Sequence, residues 1–326
     1  MRPFAYERAP DVASAVQAAS SPEVMFLGGG TNLIDLMKLG VSQPARLIDV
    51  SRLPLDRVED LPEGGLSIGA TVRNSDLAAH PAVRARYPVL AQALLAGASG
   101  QIRNMATVAG NLLQRTRCPY FQDTSKPCNK RQPHSGCPAR EGEHSNLAIL
   151  GHSQHCIATH PSDMAVALAA LDARVRTNGP DTTRTIPISE LYRLPGEQPE
   201  RDTTLEHGEL ITSVELDPPL EHSHSRYHKA RERASFAFAL VSVAVVAQAR
   251  DGLIEDCRIA LGGVAHGPWR AHEAEARLRG QPATVASFVH AAEAELAAAK
   301  PLKRNGFKVP LARNLIVRTL SEVGQS

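Results

Sequence analysis

No stretch of this chain stays apolar for the twenty or so residues that a membrane crossing needs, so a helical span is excluded. Its opening, MRPFAYERAP, has no apolar run of signal-peptide type, and a chain exported under its own signal and stapled by disulfides is not expected. Charge of neither sign prevails: 36 Lys and Arg stand against 34 Asp and Glu. No basic run is interleaved with aromatics either, which sets nucleic acid aside as a partner. Nucleophile elbow, zincin helix, P-loop and GxGxxG are all missing, and no two carboxylates stand out as an acid and base pair. What remains is a globular chain of 326 residues, 43% hydrophobic, long enough for two or three domains with proper cores.

Cysteine is scarce too, yet four of the five fall in one segment. Residues 115–157, RTRCPYFQDTSKPCNKRQPHSGCPAREGEHSNLAILGHSQHCI, hold Cys118, Cys128, Cys137 and Cys156 with nine, eight and eighteen residues between them. The segment is rich in Pro, Gly, Ser, Asn and charge and follows neither the helical nor the alternating apolar period, so burial of its own apolar surface is not expected to order it. Irregular excursions that long are functional, disordered or pinned by something else. Three states of the thiols compete. Disulfides are disfavoured by the missing signal run. Zinc usually draws its cysteines from close CxxC pairs, which are absent here. Widely spaced thiolates on an irregular loop suit a [4Fe–4S] cluster, and Pro119 and Pro138 directly follow two of them; spacing favours this reading without deciding it. His134, His144, His152 and His155 are substitute ligands, read more simply as ordinary loop histidines.

In chain order, Pro10-Asp11 opens an alanine-rich helix to about Ala19. Residues 23–27 read as a short buried strand that runs into Gly28-Gly29-Gly30-Thr31-Asn32 and then a helix carrying Leu33, Leu36 and Met37. Strand, glycine turn and helix start gather free backbone N–H groups at one point, which suits a phosphate. The same glycines would equally serve a tight turn that needs positive φ. A strand at 46–50 and a Pro- and acid-rich join up to Gly64-Gly65 put a subdomain break near residue 60. Next come a strand at 66–70, a helix at 73–79 capped near Thr71, and a longer apolar helix at 87–96 stopped by Gly97. GASGQIRNMATVAGNLLQRTR then leads into the cysteine segment, small and polar enough to approach something flat or charged, or to pack against a strand. Beyond the cysteines a helix starts at Pro161 or Ser162. Asp163 sits in its first turn, where the plain role of a carboxylate is capping. Strands at 174–177, 183–187 and 210–216 follow, with 195–202 a surface loop. Pro218-Pro219 and the EHSHS run at 221–225 mark a linker. The remainder is a hairpin, 239–249 and 253–261 about Asp251-Gly252, with helical patterns at 272–278, 284–299 and 310–323. Cys257 on the return strand reads as a small core residue. The chemistry these residues argue for is redox: a cluster beside a phosphate-bearing redox cofactor.

GGGTNLIDLMKL (28–39), ATVAGNL (106–112), PSDM (161–164), GELITSVEL (208–216) and KARERASFAFALVSVA (229–244) stand in the order and spacing of one family. By these motifs the chain resembles, over essentially its whole length, the FAD-binding subunits of molybdenum hydroxylases, the xanthine dehydrogenase and carbon monoxide dehydrogenase family. The cysteine segment is similar to that of bacterial three-subunit aldehyde oxidoreductases whose flavin subunit carries an extra [4Fe–4S] cluster. The resemblance implies an α/β (α+β) fold: a two-part FAD-binding domain over 1–221, with the break near 60 and the 115–157 insertion, then a smaller C-terminal α/β domain over 226–326 with an antiparallel sheet and helices. It implies FAD, with the diphosphate on Gly28, Gly29, Gly30, Thr31 and Asn32, flavin or ribityl contacts at Thr107, Gly110, Asn111 and Asp163, and Lys229 near the ring. Phe26, Leu27, Leu33 and Ile211 complete that set. Ala109 departs from the family, many members having a first glycine there.

The partners implied are a large molybdenum-cofactor subunit, a small [2Fe–2S] subunit and an external electron acceptor; no residue of this chain is expected to act on substrate. The expected function is electron transfer from those subunits to the acceptor within a heterotrimeric aldehyde oxidoreductase. The same role in a xanthine or N-heterocycle dehydrogenase is the alternative, with a stand-alone flavin oxidase or a zinc-stabilised interaction module as more distant ones. Since the chain shows no signal of its own, the periplasm is expected by co-export with a signal-bearing partner, the cytoplasm being the alternative.

Overall fold

In the computed structural model, which describes residues 1–324, the chain starts with a small parallel sheet in the order Ala5–Arg8, Arg46–Asp49, Val24–Leu27. The helices Val12–Ala18 and Leu33–Lys38 make its crossovers, the first capped by Asp11, whose carboxylate accepts from the Ser14 N–H at 2.7 Å. Ala15, Val16, Val24 and Ile48 form the small core beneath. The strand Ala5–Arg8 carried no apolar alternation to announce it, because all four of its side chains are exposed.

A five-stranded antiparallel sheet follows, in the order Val58–Asp60, Leu66–Gly69, Leu210–Leu216, Arg174–Asn178, Thr183–Pro187. Val58–Asp60 already belongs to it, so the chain leaves the first sheet between Asp49 and Val58. Residues of the helices Asn74–Ala79, Pro81–Arg86 and Pro88–Ala96 share one hydrophobic core with this sheet. Thr71 caps none of them: Arg73 occupies the N-cap of Asn74–Ala79 without a side-chain bond, and the Thr71 hydroxyl is buried without a partner.

The last sheet is antiparallel, in the order Trp269–Arg270, Leu253–Gly262, Val241–Arg250, Ser223–Ala230. Asp251 and Gly252, both at positive φ (51° and 77°), form the two-residue turn that matches the twist of its central hairpin. His272–Leu278, Val285–Leu296 and Lys308–Gly324 cover one face. Most of the expected EHSHS linker is strand, because Ser223 already opens Ser223–Ala230; its polar side chains concealed the alternation.

Between the second and third sheets lies Asp163–Ala170, every residue of which is buried, against the helix Pro88–Ala96 and the strands Val241–Arg250 and Leu253–Gly262. A helix apolar on all sides belongs in such a place. Tyr227, Ala244 and Ala260 of the last sheet share one core with Ile68 and Val214 of the second, so the packing runs on across the 218–222 join.

Candidate cofactor site

The glycine turn ends the strand Val24–Leu27 and lies hard against another backbone. A Cβ on Gly29 would stand 1.9 Å from the Met105 carbonyl oxygen, and one on Gly28 3.0 Å from the Thr107 hydroxyl. Close approach therefore demands Gly29; of the three, Gly30 alone is at positive φ, 72°. Thr107 caps the one-turn helix Val108–Leu112 by accepting from the Gly110 N–H at 3.2 Å, and a Cβ on Gly110 would meet that hydroxyl at 2.9 Å. Asn111 takes the Ser162 hydroxyl at 2.6 Å, and Ser162, not Asp163, caps Asp163–Ala170 by accepting from Ala165 N–H at 2.9 Å.

Asp163 is thus free of the capping role that was the plain alternative for it. One of its oxygens accepts from the Tyr227 hydroxyl and the other from Lys229 Nζ at 2.7 Å, all three side chains being buried or nearly so. Lys229 Nζ donates also to the Ala96 carbonyl at 3.2 Å. A continuous line of contacts therefore joins Gly28, Thr107, Gly110, Asn111, Ser162, Asp163 and Lys229, from four separate parts of the chain. Of the other expected cofactor residues, Phe26, Leu27 and Leu33 flank the turn half-buried and Thr31 is exposed. Ile211, at 1% exposure, is enclosed in the main core. Asn32 accepts from the Arg115 N–H at 2.9 Å, while its own amide nitrogen is buried without an acceptor. A glycine cradle, that unspent donor and a buried ammonium fit a phosphate-bearing, electron-accepting cofactor.

The cysteine segment springs from this line at both ends, at Arg115 and ahead of Ser162. It is irregular apart from the short turns Pro119–Gln122 and Pro138–Arg140, each begun by the proline that follows a cysteine. Cys118, Cys128, Cys137 and Cys156 line one small cavity, and none is in a disulfide. Burial pushes the Cys118 thiol up to about 11 and the Cys156 thiol to about 12, and raises Cys137 as well. N–H groups of Phe121 and Tyr120 pull the other way on Cys118, as do those of Ile157, Ala139 and Arg140 on Cys137 and of Ala158 on Cys156. Among the described residues no three His, Cys, Asp or Glu side chains are placed to hold a single metal ion.

Contrary to expectation, the segment does bury apolar surface: Leu36, Phe121, Ala139, Leu147, Ile157 and Ala158 form a small core with the cysteines. It is also gripped from outside. Lys308 Nζ, fully buried, donates to Leu147 O at 3.0 Å and Gly263 O at 2.6 Å, and Asn305 donates to Ala148 O at 3.1 Å. His144 accepts from the Arg304 N–H at 3.0 Å, consistent with an ordinary loop histidine. Residues 195–202, expected as a surface loop, supply Asp202, which pairs with both Arg115 and Lys130. Cys257 is a buried residue of the C-terminal core, in one cluster with Val245, Ile259 and Leu278 and apart from the other four cysteines.

A model described as the FAD binding domain in molybdopterin dehydrogenase matches residues 2–219, and one described as the CO dehydrogenase flavoprotein C-terminal domain matches 225–323. The chain belongs to the flavoprotein family of molybdopterin dehydrogenases. It is 52% identical to the aldehyde oxidoreductase FAD-binding subunit PaoB of Escherichia coli, over 99% of this chain and 98% of that one. It is 27% identical to the glyceraldehyde dehydrogenase medium chain of Sulfolobus acidocaldarius, over 85% and 82%. Among solved structures, carbon monoxide dehydrogenase from Hydrogenophaga pseudoflava superposes with a TM-score of 0.78 at 26% identity, covering 98% of this chain and 96% of that one. The flavoprotein is thus an FAD-binding component of an oxidoreductase, with the mixed α/β fold and antiparallel C-terminal sheet of its relatives.

Tyr227, Lys130 and Asp202 escaped the reading of the sequence. Tyr227 was within reach of it, since residues two apart on a strand share a face and Lys229 was already in view. Lys130 and Asp202 left no local signal.

Proposed function

We propose that this flavoprotein is the electron-transfer subunit of a heterotrimeric molybdenum-containing aldehyde oxidoreductase, carrying FAD and a [4Fe–4S] cluster and working beside a molybdenum subunit and a [2Fe–2S] subunit. The observation that carries the reading is the line of contacts from Gly28 to Lys229, from which the four-cysteine segment springs at both ends. The full-length likeness to an aldehyde oxidoreductase subunit supports the substrate class. When bound, FAD supplies two-electron uptake and onward delivery. On this chain, the backbone at Gly28–Asn32 would cradle the diphosphate and Lys229 would hold positive charge beside the ring. Asp163 compensates that charge from within the protein. The sequence offers no acid and base pair, which agrees with substrate oxidation on another subunit.

For the cluster, Cys118, Cys128, Cys137 and Cys156 are the proposed ligands. A tetrahedral zinc with bonds of about 2.3 Å draws its sulfurs to about 3.8 Å from one another. What supports a multi-iron centre is that four cysteines on an irregular segment line one cavity, with no CxxC pair of the kind zinc usually uses. Loading a cluster would release the thiol protons, and because its ligands come together only in the folded chain, binding would also stabilise the fold. The compartment we propose is the periplasm, reached with a signal-bearing partner; cell fractionation with the partner's signal deleted tests this.

An ultraviolet–visible spectrum with metal analysis tests the cofactors: about one FAD and about four iron per chain are expected, and zinc in place of iron would overturn the cluster. In the assembled complex, turnover with the natural acceptor should need FAD on this chain, while the isolated partner subunits still oxidise aldehyde with an artificial dye. Aldehyde oxidation by this chain alone would overturn the electron-transfer role.

A further inference from the structure

Three buried side chains meet where Asp163–Ala170 begins: Tyr227 and Lys229, on one face of the strand Ser223–Ala230, and Asp163 between them. The carboxylate has two oxygens and each has one donor. Lys229 has three N–H bonds, of which Asp163 takes one and the Ala96 carbonyl a second. The third has no acceptor among the described residues. The Arg231 guanidinium also donates to Ala96 O, at 3.1 Å, so that carbonyl is already shared. The tyrosine is held from its other side as well, its N–H donating to the Gln92 side chain at 2.8 Å. Burial and the neighbouring carboxylate keep its hydroxyl protonated well beyond the usual range, which makes it a permanent donor.

We propose that Tyr227 is a positioning residue of the flavin site: by occupying one oxygen of Asp163 it limits the carboxylate to a single bond with Lys229 and leaves the remaining N–H of the ammonium for the cofactor. The inference rests on FAD lying beside Lys229. Without the hydroxyl, a buried carboxylate oxygen lacks a donor, and the third N–H of Lys229 can supply one; the unpaired Ser242 hydroxyl beside Tyr227 is the competing donor. Asp163 then turns both oxygens to Lys229 and draws its charge away from the ring. Less positive charge at the ring opposes the negative charge gained on reduction, and the flavin becomes harder to reduce.

The test is the flavin midpoint potential, measured by spectroelectrochemical titration of the assembled complex. Tyr227→Phe should retain FAD and shift the midpoint to more negative values. Asp163→Asn, which leaves the ammonium uncompensated, should shift it the opposite way. Replacing Tyr227 with 3-fluorotyrosine, a stronger donor of almost the same shape, should move it positive with packing kept, and covers the case in which Tyr227→Phe does not fold. An unchanged midpoint in both Tyr227 variants, or shifts of one sign in Tyr227→Phe and Asp163→Asn, would overturn the positioning role while FAD stays bound. Wild-type complex without FAD on this chain would overturn the underlying reading, and this inference with it.

Discussion

Lys130 and Asp202, 72 residues apart in the chain, meet as an ion pair with Nζ 2.5 Å from the carboxylate. The lysine side chain is only 2% exposed and spends a second N–H on the Pro199 carbonyl at 2.6 Å. Asp202 also binds Arg115 Nε at 2.7 Å. Burial alone would raise its carboxyl, but Arg115 and Lys130 outweigh that and bring it down to about 2. A single carboxylate thus ties two points of the cysteine segment to residues 195–202.

Asp202→Ala should strand the buried Lys130 charge and cost about 3 kcal/mol. Hydrogen exchange should show residues 115–157 opening faster, with the C-terminal sheet little changed. Equal protection of the segment in wild type and variant would show that Asp202 does not hold it.

Gly29→Ala tests the cradle. One methyl group cannot be placed 1.9 Å from the Met105 oxygen, so the turn and residues 105–106 must separate. FAD affinity should fall at least tenfold in a titration, and the apo-protein should melt lower as well, because the obstacle is the neighbouring backbone and not only a bound phosphate. Loss of affinity with an unshifted melt would place the glycine's role in ligand contact alone.

Each of Cys118→Ser, Cys128→Ser, Cys137→Ser and Cys156→Ser should lower iron content, whereas Cys257→Ser should not. The small core around Phe121 and Ile157 and the grip of Lys308 should keep part of the segment ordered even without iron. Iron lost from Cys257→Ser and kept in one of the other four would refute the ligand set.

His160 lies half-buried against the Tyr192 ring, 4.5 Å between centroids, and desolvation lowers its pKa from 6.5 to about 4. Between those values the unfolded chain binds the proton and the folded one does not, so stability falls as pH drops from 6.5 to 4, by about 3 kcal/mol in all. Urea unfolding at about pH 7 and about pH 4.5 should therefore show a smaller loss for His160→Gln than for wild type. Parallel losses in the two proteins would assign the acid sensitivity to other groups.

Much of the fold was legible in residues 163–170 and 239–261, where apolar periodicity and a two-residue turn left little choice. Legibility failed where polar side chains formed strands, at Ala5–Arg8 and Ser223–Ala230, because sheet pairing is a property of the backbone and needs no apolar pattern when one face is wet. At Asp163 the plain alternative, a helix cap, falls away: Ser162 takes that duty and frees the carboxylate for partners 64 and 66 residues away, which no local pattern could show.

The amino-acid sequence by itself determined most of the helices and apolar strands, the family, and the presence of a glycine turn and four grouped cysteines. All of these depend on neighbours in the chain. Tertiary structure alone decided that Gly29 is required by the Met105 backbone, that Asp163 answers to Tyr227 and Lys229, and that Asp202 anchors Lys130. Those are contacts between distant segments, selected by which charges must be buried together and which backbones must touch, and local pattern carries no trace of either.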